Sequence, residues 1–415
     1  MKIYNPQQNS YFVLIIFIST LLFQITAYKF IWGIESASRF VNIALLISCG
    51  YYIFHHLINS KINSNVFYYY ITPGALVTFS YFYNITTSSI SNFNVVNQYG
   101  LLLPWLIYLT IPFLMKSNKI NIEILWEYFY KIILLIMIAS IIEYFLILNG
   151  FVSLRTINTS GGYFLSGIFS MMHGLENGDP HYRFYASFME PGTLAMYLIP
   201  MIIYTFLKKR YYSLVIFAFA MYLTDSLGGF ISVALAIPLL IYYRSNKKNA
   251  FISLILLLLT TALLIFSFKN EFLERYEQKG NSASIREENF TQMINNLPEL
   301  LSNYPFGIPL SENTEQAMAN SLRFGFNFTP GNAYNLGGIF AFIGYITVLL
   351  LSLWYATTSL LKRTVSSNIE QIAIISTICL IPFIFQRATV WDSNIFSLLI
   401  APFIISFLSS KKVRR

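Results

Sequence analysis

The sequence predicts an all-α, polytopic membrane protein of about twelve transmembrane helices, and three observations lead there. The first is composition. Of 415 residues, 56% are hydrophobic and 11% are charged, whereas soluble domains carry about a quarter charged residues. The second is a series of apolar runs of about 17 to 25 residues, the length a helix needs to cross the hydrocarbon core. The third is an alternation of basic and base-poor connections between those runs, the pattern that orients helices in a bilayer.

The runs fall at 11–28, 39–58, 66–83, 99–115, 130–149, 190–207, 211–225, 228–243, 250–268, 334–358, 369–387 and 393–409. The first has no small-x-small cleavage site before the next polar stretch, so it is read as a retained helix rather than a signal peptide. Cys49 and Cys379 both lie inside runs and far apart in sequence. They read as apolar fillers, not as a disulfide or a metal site.

Counting through the spans, one set of connections holds Lys2, Lys61, Lys116, Lys119, Lys208, Lys209, Arg210, Arg244, Lys247, Lys248, Lys362 and Arg363, and ends with the basic C-terminus. The short connections of the opposite set hold little beyond Lys29, Arg39 and Arg387. Basic residues favour the cytoplasmic side. Both termini are therefore expected in the cytoplasm, and two longer polar segments, 151–189 and 269–333, are expected outside. The whole reads as one polytopic domain over 1–415 with a smaller and a larger outer loop. The net charge of +9 follows from this topology. No basic groove with interleaved aromatics points to nucleic acid.

Ionisable residues within spans are functional candidates because burying them is costly. Here they gather on the outward side: Glu143 near the end of its span, Glu190 at the start of the sixth, Asp225 at the end of the seventh, and Arg387 and Asp392 about the last turn. An ion-coupled transporter would place its carboxylates near mid-depth. The bias favours a chamber that opens outward.

Three segments carry the chemistry. Arg183-Phe-Tyr-Ala-Ser-Phe-Met-Glu190-Pro191-Gly192 runs straight into a span. Proline suits the first helical position, so Pro191 is expected to open the helix with Glu190 just outside it. The free N–H groups of that first turn favour an anion such as a phosphate, and Arg183 adds a bidentate partner. A plain interfacial helix start explains the same residues equally well. Leu223-Thr224-Asp225-Ser226-Leu227-Gly228-Gly229 is a tight turn whose glycines let backbones approach closely, for helix packing, which physical grounds favour, or for a lipid-linked ligand.

The third segment is the large loop, with Arg275, Arg286 and Arg323 among several glutamates. Ser284 and Glu287 have the spacing of a capping box. Apolar residues at 285, 290, 293, 294, 297, 300 and 301 then recur with helical period. These predict an ordered loop with an amphipathic helix along the membrane surface and Arg286 in its first turn, where positive charge opposes the helix dipole until an anion binds. The loop closes with Thr329-Pro-Gly-Asn332-Ala-Tyr334-Asn335-Leu-Gly-Gly338. His173, Asp179 and His181 lack metal-site spacing, so no metal is expected. No cofactor-binding motif is found either.

In this order, the Arg-x(6)-Glu-Pro entry to a middle span, the Leu-Thr-Asp-Ser-Leu-Gly-Gly turn and the Ser-Ile-Arg-Glu…Pro-Phe-Gly loop resemble the bacterial O-antigen polymerase (Wzy) and O-antigen ligase family. The likeness in architecture covers the whole chain, and its motifs lie within about 160–340. It implies a C-type membrane glycosyltransferase fold and a metal-independent reaction on undecaprenyl-diphosphate-linked oligosaccharides, at the outer face of the bacterial cytoplasmic membrane. The products would be O-antigen or capsule polysaccharide. Membrane lipid and a chain-length regulator are the further partners it implies.

Arg183 and Arg286 match the arginines that hold the diphosphates, with Arg275, Arg323, Asn332 and Tyr334 beside them in substrate binding. Stabilising a diphosphate leaving group without metal suits arginines and a helix N-terminus. A base for the acceptor hydroxyl falls to Glu190, with Glu143 and Asp225 in reserve. Ligases of the family carry a histidine before an Asn near the end of the large loop. This chain has Thr329-Pro-Gly-Asn332 there, which favours the polymerase. A lipid-linked oligosaccharide flippase is the competing class, but it would show two similar halves, and no internal repeat is seen.

Overall fold

The computed structural model describes residues 6–22, 26–59, 62–87, 99–116, 120–152, 154–159, 162–174, 180–181, 184–188, 190–244, 288, 290–309, 325, 328–362, 367–385, 387, 390 and 393–410. The chain is mostly helical. The helices in order are α1 (Pro6–Thr20), α2 (Tyr28–Ile31), α3 (Glu35–Asn59), α4 (Ser64–Val66), α5 (Thr72–Thr87), α6 (Leu103–Lys116) and α7 (Ile122–Leu148). Then follow α8 (Pro191–Leu207), α9 (Tyr211–Leu223), α10 (Leu227–Arg244), α11 (Leu297–Asn303), α12 (Thr329–Lys362), α13 (Asn368–Cys379) and α14 (Ala401–Ser410). A π-helical stretch, Phe67–Ile71, joins α4 to α5, and another, Ile395–Ile400, leads into α14.

Every expected span except 250–268 overlaps one of these helices, and 250–268 lies outside the described residues. Among the described residues four helical stretches, Glu35–Ile58, Ile122–Leu148, Thr329–Leu361 and Asn368–Phe385, are long and apolar enough to cross a membrane. Five more, among them Pro191–Leu207 and Tyr211–Leu223, are apolar and shorter. This is the build of a helical membrane protein. Side-chain caps start several helices: Asn121 accepts the N–H of Ile124 (3.2 Å) ahead of α7, and Ser367 accepts that of Glu370 (3.2 Å) ahead of α13, each satisfying a donor the helix itself cannot.

The 151–189 segment departs from the all-helical expectation. It folds as a four-stranded antiparallel sheet in sequential order, β1 (Arg155–Thr159), β2 (Gly162–Ser166), β3 (Met171–Gly174) and β4 (Pro180–His181). The register sets Arg155 opposite Ser166 and His173 opposite His181. The sequence held the signal: two short runs rich in Thr, Ile, Tyr and Phe on either side of Ser160-Gly161, which is hairpin grammar.

By its contacts the chain forms two compact units. One comprises Met1–Ile71, Phe93–Gly229 and Asp392–Arg415; the other comprises Thr72–Asn92 and Phe230–Trp391. The first has an aromatic core in which Trp105, Trp126, Tyr108, Tyr197 and Tyr204 are fully buried. Tyr70 and Tyr108 stack at 4.0 Å and each donates its hydroxyl to the other's backbone carbonyl (3.1 and 3.4 Å). Pairing of this kind removes the cost of burying a phenol.

In the second unit α5 lies against α12. A Cβ on Gly344 would come within 2.6 Å of the Pro73 carbonyl, and one on Gly337 within 2.7 Å of the Tyr81 ring. Small residues at such points let two helices approach closely, a common means of association in an apolar solvent.

Candidate functional site

Glu143, one and a half turns from the end of α7, is buried. Its carboxylate accepts the backbone N–H groups of Ile168 (2.5 Å) and Phe169 (2.8 Å) and the hydroxyl of Ser170 (2.6 Å). These residues form the turn between β2 and β3. Ser140, one turn earlier on the same helix, donates to the Phe169 carbonyl (3.0 Å), and the Trp32 indole donates to the Ile168 carbonyl (3.0 Å). Gly167 is required here because a Cβ would sit 2.5 Å from the carboxyl carbon of Glu143. A buried carboxylate is tolerable only when its lone pairs are met in this way.

The tie continues down the chain. Met171 donates to the Ala186 carbonyl (2.7 Å), Phe184 to the Leu223 carbonyl (3.2 Å), and Ala27 to the Ser187 carbonyl (2.6 Å). Residues 184–188 are all buried, and Ala186 takes a left-handed φ of 47°, a conformation a non-glycine residue adopts only when its surroundings impose it. The segment is thus fixed from β3, from the end of α9 and from the stretch after α1. It delivers the chain to Glu190, which is exposed and extended, with Pro191 opening α8 behind it. The Glu190 side chain does not cap the helix, so it leaves the first-turn N–H groups to other partners.

The turn after α9 serves packing and geometry together. Asp225 has φ 47°, a region that Asp and Asn enter more readily than other residues. Ser226 accepts the N–H of Gly229 (3.3 Å) to start α10. A Cβ at Gly229 would press to 2.6 Å from the Met221 sulfur and 3.0 Å from the Ala195 Cβ. That glycine therefore acts in close helix packing, as the sequence anticipated.

In the second unit the start of α12 is the counterpart. Thr329 donates to the carbonyls of Ile384 (3.1 Å) and Arg387 (2.7 Å). Asn332 is buried in the first turn, and Tyr334 is buried with Met293, Leu300 and Ile308 in one apolar cluster. Two turns on, the helix is broken at Gly338, where φ is 66° and ψ −156°. The strap Pro305-Phe306-Gly307 fills the break: Ile308 donates to the Asn335 carbonyl (2.8 Å) and Ile339 to the Pro305 carbonyl (3.0 Å). Asn84 of α5 donates from one amide to both the Ile308 (3.1 Å) and Leu336 (2.9 Å) carbonyls. Backbone freed inside an apolar protein must find partners, and here the strap and one asparagine supply them.

Of the residues singled out in the sequence, Glu143, Glu190 and Asp225 belong to the first unit and Asn332 and Tyr334 to the second. Arg183, Arg275, Arg286, Arg323 and the proposed capping box at Ser284 lie outside the described residues. Sequence reading passed over a polar clamp at the opposite end of α7. Arg210 holds Glu127 through both nitrogens (3.0 and 2.9 Å), Tyr204 donates to the same carboxylate (2.7 Å), and the guanidinium lies 4.5 Å over the Tyr130 ring. Among the described residues no His, Cys, Asp or Glu side chains gather to hold a metal ion. Comparison with protein-family models, with curated proteins and with solved structures finds no match to this chain.

Proposed function

We propose that the chain is a surface-polysaccharide polymerase that joins undecaprenyl-diphosphate-linked oligosaccharide repeat units by glycosyl transfer. In this reading it lies in the bacterial cytoplasmic membrane with about twelve spans and both termini inside. The reaction runs on the outer face. The observation that carries the reading is Glu190, an exposed carboxylate set at the uncapped start of an apolar helix by a segment that is itself held on three sides. A helix start of this kind favours a diphosphate, and the base for the acceptor stands directly beside it.

The step is a substitution at the anomeric carbon. The bond from that carbon to the diphosphate oxygen breaks, and a bond to the acceptor hydroxyl oxygen forms. The hydroxyl proton passes to Glu190, and the polyprenyl diphosphate leaves with the electron pair. Arg183 and Arg286 take up the charge that develops on the leaving group, work that arginines can do without a metal. Glu190 suits the base better than Glu143, because it is exposed beside the helix start whereas Glu143 is buried under the β2–β3 turn. Arg275, Arg323, Asn332 and Tyr334 are assigned to the binding of diphosphate or glycan.

The test is a surface-glycan gel of cells lacking the protein, complemented with the native chain, Glu190→Gln or Arg286→Ala. The native chain restores a ladder, and each variant leaves single repeat units. Loss of even the single capped unit in the deletion would instead indicate a ligase or flippase. A normal ladder in the deletion would remove the reading.

A further inference from the structure

The apolar positions of the 288–303 stretch, which in sequence look like one stripe, divide in the structure between two sides. Met293 and Leu300, seven residues apart, are buried against Tyr304, Phe328 and Tyr334. Phe290, Ile294, Leu297 and Leu301 are 37 to 55% exposed. Their spacing of four, three and four places them on one helical face. Asn296 continues the hydrogen bonding between residues 290–295 and α11, donating to the Gln292 carbonyl (2.8 Å) and accepting from Leu300 (2.9 Å). One apolar face is thus covered by described residues; on the second, Phe290 packs at the edge on Phe328 (5.1 Å) and Phe385 (6.1 Å), and Ile294, Leu297 and Leu301 stay exposed.

What covers the second face follows from where it leads. The chain leaves α11 through Phe306, itself exposed, whose ring lies 5.1 Å from that of Tyr83 on α5 and 6.3 Å from that of Phe340 on α12. Beyond them Phe79, Ile343 and Leu350 continue the exposed apolar surface along α5 and α12, and α12 is of membrane-crossing length and hydropathy. The surface keeps one character from a membrane helix to the loop helix. Neighbouring positions Asn295, Ser302 and Asn303 are exposed and polar, as a helix at an interface requires on its other side.

We infer that this stretch is embedded in the bilayer interface with Ile294, Leu297 and Leu301 in contact with lipid acyl chains. The large polar segment is then held down on the membrane by its own side chains, not suspended above it. The inference stands without the transferase reading and is tested apart from it.

Single cysteines at 294, 297, 301, 302 and 303, in a background with the buried Cys49 and Cys379 replaced by alanine, are spin-labelled. The protein is then placed in vesicles of phosphatidylethanolamine and phosphatidylglycerol. Every labelled position is exposed, so the label does not disturb packing, and size-exclusion behaviour serves as the folding control. Labels at 294, 297 and 301 are expected to relax several-fold more with oxygen than with a water-soluble nickel chelate, with the order reversed at 302 and 303. Nickel access at 297 and 301 equal to that at 302 would overturn the inference. So would shielding from both reagents, which would assign the face to another protein surface or a second copy of this chain.

Discussion

The two longer polar segments are fastened to their helices by opposite means. The 151–189 sheet is held by a side chain: one carboxylate, Glu143, reaches up from α7 and collects the donors of a turn. The strap at 304–308 is held chiefly by backbone: it fills a break in α12, and the Asn84 amide donates alongside. The first fastening depends on a charge being present. The second depends on two Cβ atoms being absent, at Gly307 and Gly338. A charged latch is local and can be weakened by degrees, whereas a backbone interlock either fits or does not.

The sharpest way to break the comparison is Gly338→Ala. An added Cβ would lie 2.0 Å from the Pro305 carbonyl oxygen, and the backbone there is in a region essentially reserved for glycine. Strain alone costs on the order of 1–3 kcal/mol, before the clash displaces the strap. The expected result is loss of monodisperse protein from detergent extracts. If that variant kept the wild-type melting temperature, the interlock would have no energetic weight.

Glu143→Ala comes next. It leaves the buried Ser170 hydroxyl without its acceptor, at about 1–3 kcal/mol, and two part-buried N–H groups that cost less because they lie nearer the surface. The loss should stay local, with faster amide exchange across 162–174 and little change at 329–345. Uniform acceleration over both stretches would show that the latch is not local. Asn84→Ala removes two donated bonds from the α12 break and should cost about 1–3 kcal/mol. Asn84→Asp should cost more, because a carboxylate would then face two carbonyls at hydrogen-bond distance. A smaller loss for the aspartate in thermal melts would mean that the asparagine acts only by filling space.

The two fastenings were unequally legible in the sequence. Apolar period and length gave the helices, and the Glu190-Pro191 start needed only the chemistry of proline at the first helical position. Glu143 drew notice as a charge in a span, but its partners are backbone groups twenty-five residues away, and no side-chain pattern announces such an acceptor. Asn84 stands at the end of an apolar run with nothing in its neighbours to mark a role. Its work at Ile308 and Leu336 is set by the packing of α5 on α12, which local sequence does not encode. Gly337-Gly338 read only as the close of the large loop, because the break that requires φ 66° exists only once the strap fills it. The sheet had a local signal, the Thr-, Ile-, Tyr- and Phe-rich runs about Ser160-Gly161, which the reading of 151–189 as a polar outer loop leaves unused.

The smallest expected effect separates geometry from charge at the turn after α9, which is joined to the Glu190 segment through the Phe184–Leu223 bond. Asp225 needs a left-handed backbone, which asparagine accepts nearly as well and alanine accepts at about 1 kcal/mol. Asp225→Ala should therefore lower the melting temperature slightly, while Asp225→Asn should leave it unchanged. Glycan ladders from the two variants then divide the possibilities. If Asp225 contributes only backbone shape, the asparagine variant makes polymer of normal length and the alanine variant nearly so. If its carboxylate serves the reaction, the asparagine variant loses polymer while keeping full stability. The role of acid or base would then have to be shared between Glu190 and the turn, and the first unit would hold the chemistry on both of its tethered corners.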